Sequence, residues 1–253
     1  MGLGSSFGIT SETNNNIQTD GLVYYLDAAY KKSYPRSGTT WSDLAISGSS
    51  PASGSTLLNG PTFSTDGGGS ISFDGSNDAA SAHATHQPLI NASNSTLSSW
   101  VYIDGSHSGE FRPVVIHKST GFSRWGLGWG NSGTKFYVSY FTSDNHARLH
   151  SSNGFAVGSW YNVVTTKNAA TVKIYVNAVL EGTATDQNTS DLTLTAGANT
   201  TIAYNNYPSD ASGQHYLKGK ISNMLFYDKT LSAGEVLQNY NAQKQRFGVW
   251  YGL

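Results

Sequence analysis

The sequence predicts an all-β fold, a sandwich or barrel of short antiparallel strands closed by one short helix near the C-terminal end. Three observations carry that expectation. Short apolar or alternating runs recur at intervals of about ten residues with turn-forming residues between them. No helical periodicity alternates with these runs, which argues against a parallel α/β sheet. The composition fits too: of 253 residues only 12% are charged and 38% hydrophobic, with 28 glycines, 15 tyrosines and 6 tryptophans, so Ser, Thr, Asn and Gly must cover the surface while aromatics supply bulk.

The clearest elements lie between Gly158 and Gly182, which reads as three short antiparallel strands joined by two tight turns. Val172, Ile174 and Val176 share one face of the middle strand, and Thr171, Lys173, Tyr175 and Asn177 the other, the two-residue period of a half-buried strand. Lys167–Ala170 and Asn177-Ala178 supply the turns, although Ala stands where Gly would take positive φ freely. Further strands are expected at Gly21–Asp27, Pro61–Phe63, Ser70–Phe73, Thr96–Ile103, Pro113–His117, Trp125–Trp129, Lys135–Phe141 and Lys218–Tyr227. The Ser/Gly-rich stretch Ser47–Ser55 reads as a loop within one domain, because strand signals resume at once after it. After the last strand, Leu231-Ser232-Ala233-Gly234-Glu235-Val236 spells a capping box, Ser232 as N-cap and Glu235 at the third helical position, with Leu231 and Val236 as a hydrophobic staple. Val236, Leu237 and Tyr240 mark the apolar side of that helix, and Gly248 its stop.

Several function classes recede on composition. A net charge of -1 gives no field to attract a phosphate backbone or an anionic membrane, so neither nucleic acid nor membrane is expected as a partner. Without cysteine, neither disulfides nor thiolate metal sites can form. The first twenty residues lack the basic and apolar regions of a secretory signal, so the chain is expected to be made soluble inside a cell or to be met already processed.

Taken together, the FDGSND run (Phe73–Asp78), TLSSWVYI (Thr96–Ile103), Trp160 followed by the KIYVN hairpin, and the closing stretch from Lys218 to Gly248 resemble a concanavalin A-like lectin/glucanase domain. The subtype is the laminin-G-like jelly roll found in bacteriophage virion proteins. The opening GLVYYLDAAYKKSYPRSGTTWSDL and the closing helix carry the phage flavour. The resemblance implies a two-sheet antiparallel jelly-roll sandwich over residues 21–248, with loops at one rim or a concave face for ligands. It also implies calcium as the family's metal, with Asp27, Asp74, Asn77 and Asp78 as candidate oxygen ligands, although turn geometry explains the same residues. Ala79 and Ala80 depart from the aromatic or β-branched pair usual after FDGSND, which weakens a ligand or calcium role at that rim.

Glucanases of this fold cleave with two carboxylates on one strand about 5 Å apart. Here Glu12, Glu110, Glu181 and Glu235 are isolated, and no Gly-x-Ser-x-Gly elbow is present, so no catalytic residues are expected. The pairs His83/His86 and His146/His150 lie in expected loops or strand ends, where their spacing does not define a metal site, and no metal ligands are assigned. For sugar, the WGLGW run sets Trp125, Leu127 and Trp129 on one face and glycines on the other. If that face is outward, Trp129 with Tyr137 and Asn145 or His146 forms a platform; if inward, the tryptophans are core. A loop at Tyr204, Asn205 and Tyr207 is the second candidate platform.

Leu3, Phe7 and Ile9 stud an N-terminal arm, residues 1–20, and Phe247, Val249, Trp250, Tyr251 and Leu253 crowd the tail, residues 249–253 with Phe247 before it. Both ends are candidate docking segments for a partner. The sequence-level expectation is therefore a non-enzymatic virion structural protein: a capsid decoration, head fibre or tail appendage. Its expected partners are the major capsid protein or a tail protein, further copies of itself, and host-surface glycans. It would reside in the virion after synthesis in the host cytoplasm. A secreted or cell-surface carbohydrate-binding module is the alternative, and a glycoside hydrolase the remote one.

Overall fold

The structure, a computed structural model, describes residues 16–45, 54–82, 94–105, 112–118, 124–130, 134–141, 146–185, 199–205 and 215–248. In chain order the strands are β1 (Leu22–Asp27), β2 (Thr40–Trp41), β3 (Ser55–Leu58), β4 (Thr62–Ser64), β5 (Ser70–Asp74), β6 (Ala79–Ala82), β7 (Asn94–Ile103), β8 (Arg112–Lys118) and β9 (Arg124–Trp129). They continue as β10 (Phe136–Phe141), β11 (His146–His150), β12 (Trp160–Asn168), β13 (Thr171–Val176), β14 (Val179–Thr185), β15 (Asn199–Ile202), β16 (Tyr204–Asn205), β17 (His215–Tyr216) and β18 (Lys218–Tyr227). Helix α1 (Ala233–Gln243) and a 3-10 turn, Lys244–Phe247, follow.

These strands form two antiparallel eight-stranded sheets. The first runs β14-β13-β12-β7-β18-β5-β4, with β1 pairing the second half of β18 on the edge that β5 pairs in the first half. The second runs β11-β10-β9-β8-β15-β6-β3-β2, and β16 with β17 makes a separate two-stranded ribbon. The main core fills the space between the sheets. Leu97, Val101 and Ile103 of β7, Val172, Ile174 and Val176 of β13 and Leu127 of β9 all point into it, the alternation that a two-residue period requires.

The opposite face of the first sheet is covered by α1. Val164, Tyr175, Leu225 and Tyr227 meet Leu231 and Val236 there, so Tyr175 and Ile174 of one strand serve different cores. The capping box forms as the sequence predicts: Glu235 N donates to Ser232 Oγ (3.3 Å) and Ser232 N to Glu235 Oε2 (2.7 Å). Val236 and Tyr240 are buried, but Leu237 faces solvent, so the apolar stripe is narrower than expected.

Three further expectations differ from the structure. Phe247, proposed above for docking, is buried against this chain's own sheet: its ring stacks on Trp100 at 3.9 Å and packs by Trp160 at 5.1 Å. A flat aromatic that closes one end of a helix-on-sheet layer is not available to a partner. Residues 16–20 do not form part of a free arm, since Gln18 N donates to Asn239 Oδ1 (2.7 Å) and Tyr227 Oη donates to Gln18 O (3.1 Å). Tyr204-Asn205, expected in a loop, is strand β16, whereas His146 and His150 stand at the two ends of strand β11, within the strand ends expected for them. Leu3, Phe7, Ile9, Val249, Trp250, Tyr251 and Leu253 lie outside the described residues.

Candidate functional site

The WGLGW strand settles on the inward alternative. Trp125, Leu127 and Trp129 all join the main core, with Trp129 only 3% exposed. Tyr137, its proposed platform partner, pairs with Gly128 on β9, and its ring therefore crosses the opposite face of that sheet. The glycines exist for this crossing. A Cβ on Gly128 would sit 2.6 Å from the Tyr137 hydroxyl oxygen, and one on Gly126 would sit 2.3 Å from Ile116 Cδ1. Bare backbone lets Ile116 and Tyr137 lie flat across β9, and Tyr137 is fully buried as a result. Trp129 and Tyr137 thus stand on opposite sides of one sheet and cannot form one sugar platform. Asn145 lies outside the described residues, and of His146 only the backbone position at the start of β11 is described. That position and His150 lie four strand residues, roughly 13 Å, apart along β11.

The second candidate is partly assembled. Tyr204 and Tyr216 are cross-strand partners on the β16–β17 ribbon, with ring centroids 4.7 Å apart and planes 17° from parallel. Both are half-buried. The ribbon is anchored to β8, where Ala203 N donates to Val114 O (3.0 Å) and Arg112 Nη1 to Tyr216 O (2.9 Å), and Leu217 N closes its base by donating to Ala203 O (2.8 Å). Ala203 takes φ 62, the turn that lifts the chain out of β15 into the ribbon. Burial, and then the neighbouring Tyr216 hydroxyl, raise the pKa of Tyr204, so it remains a neutral donor and acceptor near neutral pH.

Asn205 belongs to the other face of the ribbon. Adjacent strand residues point oppositely, and Asn205 is 4% exposed, with an Oδ1 that accepts no hydrogen bond. Tyr207 lies outside the described residues. The residue that completes the aromatic surface, Tyr216, was not singled out from the sequence, because pairing across the ten residues between Asn205 and Tyr216 has no local signal.

The calcium candidates are occupied by the protein itself. Asp27 is fully buried and holds Arg246 through two bonds, Nη1 to Oδ2 at 2.7 Å and Nη2 to Oδ1 at 2.9 Å. Asp74 Oδ1 accepts from the backbone N–H groups of Ser76, Asn77 and Asp78, and Asp78 Oδ2 accepts from Asp74 N, the self-bonding of a tight turn. Those backbone donors, led by Ser76, hold Asp74 below the usual carboxylate pKa, while burial raises Asp78. Among the described residues no three His, Asp or Glu side chains gather where a metal ion could sit. Glu181 has the same structural character, since its carboxylate accepts from Asn153 N (3.0 Å), Asn153 Nδ2 (3.0 Å) and Ser152 Oγ (3.2 Å), pinning the turn after β11.

Two face-to-face antiparallel sheets, a helix laid on the outside of one of them and an aromatic ribbon on the sandwich define a lectin-type β-sandwich. The chain belongs to the concanavalin A-like lectin/glucanases superfamily: the Laminin G 3 family model matches residues 73–237. No curated protein matches the sequence. Among solved structures, domain 4 of AbnA, a GH43 extracellular arabinanase from Geobacillus stearothermophilus in complex with arabinotriose, superposes with a TM-score of 0.65 at 15% identity, covering 87% of this chain and 98% of that one. A structure of botulinum neurotoxin type C, whose cell entry is dependent upon interaction with two ganglioside molecules, reaches 0.67 at 14% identity over 89% of this chain and 52% of that one. Trypanosoma rangeli sialidase reaches 0.62 at 16% identity over 89% of this chain, which spans 33% of the sialidase's length. At these identities the likeness is one of fold.

Proposed function

We propose that the chain is a non-enzymatic glycan-binding domain that serves as a structural component of a bacteriophage virion. The observation that carries the binding role is the half-exposed Tyr204–Tyr216 pair, mounted on a ribbon tied to β8 by two hydrogen bonds. A pyranose offers C–H groups to such a ring while its hydroxyls meet the tyrosine hydroxyls. The arabinanase domain was solved in complex with arabinotriose, and cell entry of botulinum neurotoxin type C depends on interaction with two ganglioside molecules, which supports the same reading. The non-enzymatic part is supported by the carboxylates in view. Glu181 pins a turn, Glu235 caps a helix and Asp27 holds Arg246, which leaves none of them poised as an acid and nucleophile pair.

The virion part is supported by the resemblance of the opening segment and closing helix to phage virion proteins, with a capsid or tail protein, and copies of the chain itself, as partners. A glycan array followed by titration calorimetry tests binding. Wild-type protein should bind at least one neutral oligosaccharide, and Tyr216→Ala should weaken that binding about tenfold or more without lowering the melting temperature by more than a few degrees. Equal binding by wild type and Tyr216→Ala would remove the ribbon from the mechanism. Mass spectrometry of density-purified particles tests the virion assignment, and absence of the chain from intact particles would overturn it.

A further inference from the structure

A groove of about 820 Å³ opens on the helix side of the first sheet, away from the ribbon, between the segment Asn16–Thr19, the turn after β1 and the second half of α1. Arg246 lines it, and behind Arg246 lies the buried carboxylate of Asp27. The Asp27 carboxylate is saturated: Oδ2 accepts from Arg246 Nη1 and Tyr25 Oη, and Oδ1 from Arg246 Nη2 and Ala29 N. Arg246 is not. Its Nε donates to Gly67 O, one Nη1 hydrogen and one Nη2 hydrogen go to Asp27, and the other Nη2 hydrogen goes to Ser222 Oγ, which leaves one Nη1–H of five without an acceptor among the described residues.

The same imbalance holds along the walls. Gln243 has its carbonyl oxygen engaged by Asn223 Nδ2 (2.7 Å), so its amide N–H groups are what it has left to offer. Lys31 and Lys32 stand exposed beside the groove, and neither has an ion-pair partner among the described residues. Tyr30, next to them and 53% exposed, supplies an aromatic face. The groove therefore combines two cations without an ion-pair partner among the described residues, spare N–H donors and one open ring. That set is complementary to an anion carried on an apolar-faced ring.

We propose that this groove binds an acidic saccharide, a sugar carrying a carboxylate, with the carboxylate held by Lys31, Lys32 and the free N–H of Arg246 and the sugar ring against Tyr30. The inference extends the glycan-binding reading to a second site and a substrate class, and it is tested with residues that the ribbon does not share. Calorimetric titration with 3′-sialyllactose and with trigalacturonic acid should show binding at low ionic strength that weakens several-fold as salt shortens the Debye length to about 8 Å. Lactose, the neutral control, should show no binding that depends on Lys31 or Lys32.

The double variant Lys31→Gln/Lys32→Gln, which changes only exposed side chains, should weaken both acids about tenfold or more, and Tyr216→Ala should leave them unchanged. Tyr30→Ala should weaken the acidic sugars while sparing any weak binding of inorganic phosphate. Unchanged affinity in the lysine double variant, or phosphate binding as tightly as the sugar acids, would overturn the proposal. If neutral glycans bind through Tyr216 while neither acid binds, the proposed function stands and this inference falls. Loss of the ribbon effect with intact Lys-dependent acid binding does the reverse.

Discussion

Ala178 shows how one residue can work against its local structure. The two-residue turn between β13 and β14 places both Asn177 (φ 52) and Ala178 (φ 64) in the left-handed region, the type I′ geometry whose twist matches a hairpin. Asn tolerates that region, but a Cβ there costs on the order of 1 kcal/mol. The register across the turn is set by Val176 and Val179, which the rest of the sheet holds in place, so the strain persists. Replacing Ala178 by Gly should therefore stabilise the fold by about 0.5 kcal/mol, the relief of strain being partly offset by greater freedom of the unfolded chain. Chemical denaturation should show a higher midpoint with an unchanged slope. A lower midpoint would mean that the Ala178 methyl, which packs beside the Trp100 cluster, matters more than the backbone.

The helix and the turn after it act as one element because three aromatic rings are stacked through them. Trp100 of β7 lies against Tyr240 of α1 at 5.7 Å and against Phe247 at 3.9 Å, with both pairs nearly parallel. Gly67, at φ 62, completes the fit, since a Cβ there would meet Phe247 Cε1 at 2.6 Å. Truncating Phe247 to Ala removes the ring that fills this space, and for a buried Phe the expected cost is about 3 kcal/mol. A thermal melt followed by circular dichroism should show the loss as a shift of the single transition, with the β signature retained below it. A shift of less than one or two degrees would indicate that the terminal turn is detached from the sheet in solution.

At the scale of the whole molecule, Asp27 and Arg246 join two positions 219 residues apart in sequence. Asp27 ends β1 and Arg246 lies in the last turn, so this pair fastens the end of the chain to the strand that opens the sandwich. Because Asp27 is fully buried, Arg246→Ala leaves an uncompensated charge in the protein interior and should cost about 3–5 kcal/mol. Arg246→Lys should recover only part of that loss, because an ammonium cannot make the two parallel bonds of a guanidinium. The double variant Asp27→Asn/Arg246→Ala should be more stable than Arg246→Ala alone, read as denaturation midpoints. A double variant no better than the single one would show that packing, not charge, is what Arg246 supplies.

Much of this architecture could be read from adjacent residues. The alternation of Val172, Ile174 and Val176 is a period-two pattern, and the Ser232/Glu235 capping box closes over three residues. Both are set by neighbours, so the strand, the helix start and the sandwich class follow from short-range chemistry. The short strands β2, β3, β6, β15 and β16 are different, because two to four residues carry too little periodicity to stand out from a loop, and only pairing across the sheet makes them strands. The same limit governs the candidate sites. Nothing in the chain around Trp129 tells inside from outside, since a WGLGW face is the same in either orientation until a second sheet covers it. Tyr204 finds Tyr216 through a ribbon, and the groove draws Lys31, Lys32 and Arg246 from opposite ends of the chain. Sequence chemistry therefore decided the longer strands, the helix and the family to which they belong, while the shortest strands and the assembly of side chains into binding surfaces were left to tertiary packing, because those contacts join residues that share no local neighbourhood.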